Sequence, residues 1–259
     1  MKFLRSTLFA LLALAIFASC SSDDDDKVGT EVGKSTVQVV FRSSMVGDMV
    51  PLATRNQESP LKLNEMYINI SEIEFDISDE MEDSQLDGEK VYSDIELKGP
   101  FPINLLSEQA LNGWTLATTN VPNGTYEEIE FEFDVYKGND ENFANLKGNT
   151  IYVLGSFDVG EAVIPFVIKS DEELEIELEY ENRPLVLDGD KSKVFIDLDL
   201  NAVMLKLIST AAGDFLNAKI EDDGSILIDK NTNKNILEKF EEALEDAFEA
   251  IEDAHEEAN

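Results

Sequence analysis

One cysteine, one histidine and one tryptophan are spread over 259 residues, and 20 lysines and arginines stand against 55 aspartates and glutamates. With Cys20 the sole thiol, no intrachain disulfide can form, and the rest of the chain holds no cysteine nucleophile and no thiolate zinc site. The single histidine, His255 in "EDAHEEAN", is too few for a multi-histidine metal centre, and it reads as a solvated position near a helix end rather than as a partner for a catalytic serine. Basic residues are scarce enough to leave a formal charge of −35. Nucleic-acid binding is thereby excluded, because it relies on replacing counterions with lysine and arginine. Solubility in salty surroundings accounts for such acidity, and binding of divalent cations is the sharper alternative.

Long apolar runs are also missing, apart from residues 8–17, and that run is too short to cross ~30 Å of hydrocarbon as a helix. Lys2 and Arg5 precede it and small Ala18 and Ser19 follow, the three parts of a secretory leader. "FASC" resembles a bacterial lipobox, in which the cysteine takes a diacylglyceryl group and becomes the new amino terminus; here that residue is Cys20, behind a signal peptide spanning residues 1–19. Ser21, Ser22, Asp23, Asp24, Asp25 and Asp26 follow. They resemble the acidic export signal that directs lipoproteins of Bacteroidota to the outer face of the outer membrane, and "DDDDK" also matches an enteropeptidase cleavage tag. Residues 20–34 read as a lipid-anchored acidic tether, too charged and too poor in apolar periodicity to support a core. The expectation is a protein held in the outer membrane by its lipid and facing the cell exterior.

Between residues 35 and 207 the dominant signal is alternation. "YEEIEFEFDVY" sets Ile129, Phe131, Phe133 and Val135 against Glu128, Glu130, Glu132 and Asp134, and "EELEIELEY" sets Leu174, Ile176, Leu178 and Tyr180 against Glu173, Glu175, Glu177 and Glu179. One face in a core and one in water is the mark of antiparallel sheets. Further strands are expected in "STVQVVFRS", "EMYINISEIEFDIS", "KVYSDIEL", "TIYVLGSFDV", "EAVIPFVIKS" and "KVFIDLDLNAVMLKL", with turns at Asn112-Gly113, Asp188-Gly189 and elsewhere. The reading is a mainly β protein with one antiparallel sandwich over residues 35–207. Residues 208–259 read as a short hairpin or extended segment and then a C-terminal amphipathic helix. Ile236, Leu237, Phe240, Leu244, Phe248 and Ile251 form its apolar stripe, which needs its own sandwich or a partner to lie on, and Asn235 with Glu238 is spaced as a capping box.

Three short motifs stand out: Ile70, Ile73 and Glu74 in "INISEIEF"; Asn104, Leu105 and Leu106 in "FPINLLS"; and Pro122, Gly124, Tyr126 and Ile129 in "VPNGTYEEIEF". Together they resemble the lipoprotein family known as domain of unknown function 4382, although that family more often has aspartate at the place of Asn104. The resemblance implies an immunoglobulin-like or transthyretin-like sandwich on the bacterial surface, and no established activity. Tyr126 also has a reading of its own, as a corner residue whose hydroxyl bonds nearby backbone.

Carboxylates are the only plentiful catalytic groups, and a glycan hydrolase needs two of them about 5 to 9.5 Å apart across a cleft. With so many acids, such pairs arise by chance, so the chain reads as a non-catalytic binding or envelope-structural module for a glycan or a surface protein, with a carboxylate-based hydrolase as the remote alternative. Trp114 and Tyr136 are the candidate aromatics for a glycan. A calcium-dependent adhesion or assembly module is the second reading, because "DGDKS" places oxygens of Asp188, Asp190 and Ser192 at alternate positions, although an acidic turn explains them as well. No other cofactor is expected. If Glu128, Glu130 and Glu132 stood opposite Glu173, Glu175 and Glu177 they would repel, unless lysines or cations lay between.

Overall fold

In the computed structural model, residues 33–45, 61–78, 93–160, 162–180, 184–189 and 191–258 are described. Cys20, Ser21, Ser22, Asp23, Asp24, Asp25, Asp26 and Asp190 lie outside them. The strands form two sheets. The smaller has the order β10-β1-β4, built from β10 (Lys191–Asp199), β1 (Lys34–Ser44) and β4 (Trp114–Pro122). The larger has the order β11-β7-β6-β2-β5-β8. Its members are β2 (Leu61–Ile77), β5 (Gly124–Phe133), β6 (Ile151–Asp158), β7 (Val163–Ser170), β8 (Leu174–Glu179) and β11 (Ile226–Ile228), and β3 (Ile95–Asn104) and β9 (Leu185–Leu187) pair with β2 and β5. The protein is mainly β, as the alternation predicts. Two pairings are nevertheless parallel, β1 with β10 and β7 with β11.

β2 organises the larger sheet. Its buried side chains change parity twice along the strand, from Leu61 and Leu63 to Met66, Ile68 and Ile70, and then to Ile73, Phe75 and Ile77. Each change falls at a register shift, between Leu63 and Glu65 and between Ile70 and Glu72, so the strand bends while the same face stays in the core. β6 pairs with Leu61–Ile68 and β5 takes over from Ile70 to Ile77. The junction is held by Asn69, which is 1% exposed. Its backbone N–H donates to the carbonyl of Thr150 at 3.0 Å, just ahead of β6, and its Nδ2 donates to the carbonyl of Asp134 at 2.9 Å, just beyond β5.

Among the described residues there are three α-helices: α1 (Glu108–Asn112), α2 (Leu200–Leu216) and α3 (Lys234–Ala258). α2 corrects the sequence reading, which continued the strand through "LNAVMLKL". Asp199 ends β10 and caps the helix, accepting from the N–H groups of Asn201 at 2.8 Å and Ala202 at 3.3 Å. Leu200, Val203, Met204, Leu207, Ile208, Ala211 and Phe215 then follow the spacing of one buried helical face. α3 lies on its own domain. Ile236, Leu237, Phe240, Leu244 and Phe248 are buried, Ile251 packs against the same core, and Phe248 stacks on Phe133 of β5 with ring centroids 4.9 Å apart.

The cap of α3 differs from the expected box. Asn235 sits inside the first turn, and Asn233, in the left-handed region at φ 53°, organises the entry. Its Oδ1 accepts from the N–H of Lys219 at 2.8 Å, while its Nδ2 donates to the carbonyls of Lys219 and Leu227. His255 is also corrected. It is half-buried and meets the buried ring of Tyr180 edge-on, with centroids 4.4 Å apart, and burial pushes the Tyr180 hydroxyl up to about 12. Among the described residues no helix is long and apolar enough to cross a membrane.

Candidate functional site

The outer face of β3, β2, β5 and β8 is a grid of acids. Strand alternation puts every second side chain of each strand on this face, and the registers align them in rows. Glu72, Glu132 and Glu175 form one row, with Lys98 at its end. Glu96, Glu74, Glu130 and Glu177 form the next, and Asp76, Glu128 and Glu179 the third, beside Asp94, whose Oδ1 accepts from the N–H of Ile77. The structure thus brings β5 and β8 together, as the sequence left open, with Glu128 opposite Glu179, Glu130 opposite Glu177 and Glu132 opposite Glu175. Glu173 precedes β8 and takes no place in the ladder.

Like charges set directly opposite on paired strands repel, and each carboxylate also loses water to its neighbours. Desolvation is the larger cause at the centre of the grid. It pushes Glu128 up to about 7, helped by Glu177 and Asp76, and Glu130 up to about 7, helped by Glu175, Glu132 and Glu74. Glu74, Asp76 and Glu175 are raised as well, in each case first by desolvation. Lys98, the one cation in the grid among the described residues, reaches Glu96 at 2.8 Å and Glu72 at 3.2 Å, and its hydrogen bond holds Glu96 below the usual carboxylate range. Four overlapping triplets, Glu72–Glu74–Glu96, Glu74–Asp76–Asp94, Asp76–Glu128–Glu130 and Glu128–Glu177–Glu179, have ligand oxygens within 4.8 Å of one another. The arrangement can attract cationic side chains or hard divalent cations, whose preferred ligands are carboxylate oxygens.

Of the expected calcium turn, Asp190 lies outside the described residues. Asp188 is exposed, Ser192 lies within β10, and Gly189 between them, at φ 105°, donates its N–H to Ser35 Oγ at 2.8 Å. The same Ser35 hydroxyl donates to Asn123 Oδ1 at 2.8 Å, so the turn is tied to the start of β1 and to the β4–β5 turn. The two candidate glycan aromatics meet at one apolar cluster, against which Trp114 packs, but they differ in exposure. Tyr136 is buried with Phe143, Leu146 and Tyr152 in a small cluster, whereas Trp114 is half-buried and lines a shallow hollow of about 420 Å3 with Glu108, Gln109, Asn112 and Thr115. Tyr126 keeps its corner role, donating its hydroxyl to the carbonyl of Pro122 at 2.8 Å.

The contribution of β2 and β3 to the grid was missed in the sequence. Alternation places Glu72, Glu74 and Asp76 on one face, but only pairing shows that this face continues that of β5 and β8.

No curated protein and no solved structure matches the chain. A family model described as a domain of unknown function (DUF4382) matches residues 57–216, from just before β2 to the end of α2, and so includes all four strands of the grid and the motifs around Ile70, Asn104 and Tyr126. That match covers more than half of the sequence, and the chain belongs to the DUF4382 family.

Proposed function

We propose that the protein is a lipid-anchored cell-surface module of Bacteroidota type that binds without catalysis, and that the acidic face of β3, β2, β5 and β8 is its binding surface, for a partner protein presenting lysine and arginine. The leader and "FASC" support an anchor at Cys20, and the acids that follow support display outward from the outer membrane. The observation that carries the binding role is the register itself, which stacks ten carboxylates against one lysine on a single face, with Asp94 beside them. A cationic partner relieves this repulsion, and steering by such a field speeds encounter. A glycan partner finds less support, because Tyr136 is buried and Trp114 is half-buried against the same cluster, so the pair offers no exposed aromatic platform.

A lysine-rich decapeptide serves as the probe. It should bind the full chain more weakly as salt rises, and Glu128→Gln/Glu130→Gln/Glu177→Gln should weaken binding far more than Glu238→Gln/Glu242→Gln/Glu249→Gln on α3. Equal losses in the two variants would mean that the face has no special role. The second reading, calcium binding, is favoured by the carboxylate triplets within 4.8 Å. Calcium at millimolar concentration should then raise the melting temperature and a chelator should reverse it; unchanged melting sinks this reading and leaves the first standing. Detection of Cys20 as an acylated amino terminus by mass spectrometry, and loss of the protein on protease shaving of whole cells, test the address.

A further inference from the structure

The outer edge of the smaller sheet is β10, which pairs with β1 alone among the described residues. Edge strands are open templates for another strand, and proteins protect them with charges that oppose pairing. β8, the edge of the larger sheet, is protected in this way. Pairing with a second copy of itself through the acidic face would set glutamates against glutamates, and the N–H of Glu177 is already taken by Glu252 Oε1 of α3 at 3.1 Å. β10 has the opposite character. Its exposed side chains are, in order, Lys191, Lys193, Phe195, Asp197 and Asp199, and Val194, Ile196 and Leu198 between them are buried. Basic residues precede Phe195 and acidic residues follow it at matching distances.

From this pattern we infer that β10 is a homodimer interface, in which two copies of the chain pair their β10 strands antiparallel about a two-fold axis at Phe195. A two-fold there sets Lys193 opposite Asp197 and Lys191 opposite Asp199 twice over, with Phe195 against its own copy. This is the self-complementarity that an isologous contact requires. The opposite faces of the two strands, carrying Val194 and Ile196, continue one apolar layer across the junction. Phe195, 51% exposed, is a large apolar side chain without cover, and it borders a groove of about 460 Å3 shared with Asp197, Ala247, Ala250 and Ile251. Asp197 already meets Arg42 of β1, and with both side chains 49% exposed its carboxylate remains open to a second cation. The occupant inferred is a second copy because the charges of β10 complement β10 itself.

Cross-linking tests the contact in the full chain. Phe195→Cys places two thiols together at the axis, so a mild oxidant should give a covalent dimer, whereas Val163→Cys, at a position 63% exposed on β7, should stay monomeric. On the Phe195→Cys background, Lys193→Asp turns two attractive pairs into repulsive ones and should lower the dimer yield on the order of tenfold. Adding Asp197→Lys to the same chain restores complementarity and should restore the yield, a recovery that a mere folding defect cannot produce. The inference is overturned if Phe195→Cys gives no more dimer than Val163→Cys, if Lys193→Asp leaves the yield unchanged, or if the double exchange fails to rescue it while melting shows the variant folded.

Discussion

The two sheets of this protein expose opposite solutions to the same problem. The larger turns to water a face on which acids are stacked across four strands beside a single described lysine, and the smaller turns a face on which Lys191, Lys193 and Arg42 balance Asp197 and Asp199. Both have a mainly apolar inner face, so burial alone does not explain the difference. Where charge is mixed, a strand can tolerate a copy of itself. Where it is uniform, the sheet is closed to its own kind and open to cations. A formal charge of −35 is therefore not spread evenly, and its distribution says more about partners than its size.

The largest expected effect breaks both sheets at once. Phe240 is fully buried on α3, the helix that lies across the shared core, and Phe240→Ala should cost about 3–5 kcal/mol. A cooperative melt lowered on the order of 10 °C is the expected result, and a melt in which one sheet survives would show that they are independent.

A smaller effect sharpens the contrast and has the opposite sign. Glu128 and Glu130 bind protons more readily folded than unfolded, so their contribution to stability is complete below about pH 4.5 and is lost as pH rises through about 7. Melting temperature should fall across that window. Glu128→Gln/Glu130→Gln should flatten the slope and raise melting at pH 7.5 by a few degrees, whereas a wild-type curve that rises from pH 5 to 8 would contradict the repulsion.

The smallest effect compares two exposed ion pairs, each ordinarily worth ~0–1 kcal/mol. Lys98→Gln should destabilise more than Arg42→Gln at neutral pH, because Lys98 is the only cation in its grid among the described residues, and matched urea midpoints would deny that distinction.

The sequence made the faces of single strands readable, because alternation in "YEEIEFEFDVY" or "EELEIELEY" depends only on neighbours in the chain. It also exposed the stripe of α3 and the corner formed by Tyr126. The beginning of α2 was hidden because Ile196, Leu198 and Leu200 continue a strand rhythm up to a residue, Asp199, that serves as both strand end and helix cap. The grid was hidden for another reason. Its existence depends on which strands are neighbours and in what register, and that is decided by contacts between distant segments, by two bulges in β2 and by the single side chain of Asn69. His255 was misread because a charged helix end gives no sign of a tyrosine waiting on another element.

The parallel pairing of β1 with β10 joins residues such as Arg42 and Asp197, 155 positions apart. The first strand of the smaller sheet therefore spends most of synthesis without one of its two neighbours, and closing so long a loop is slow compared with forming hairpins. A chain stopped before β10 would keep every strand of the acidic grid and yet leave β1 open along one side. Completion of the smaller sheet thus waits until residue 199 has been joined, after every strand of the acidic grid is in place.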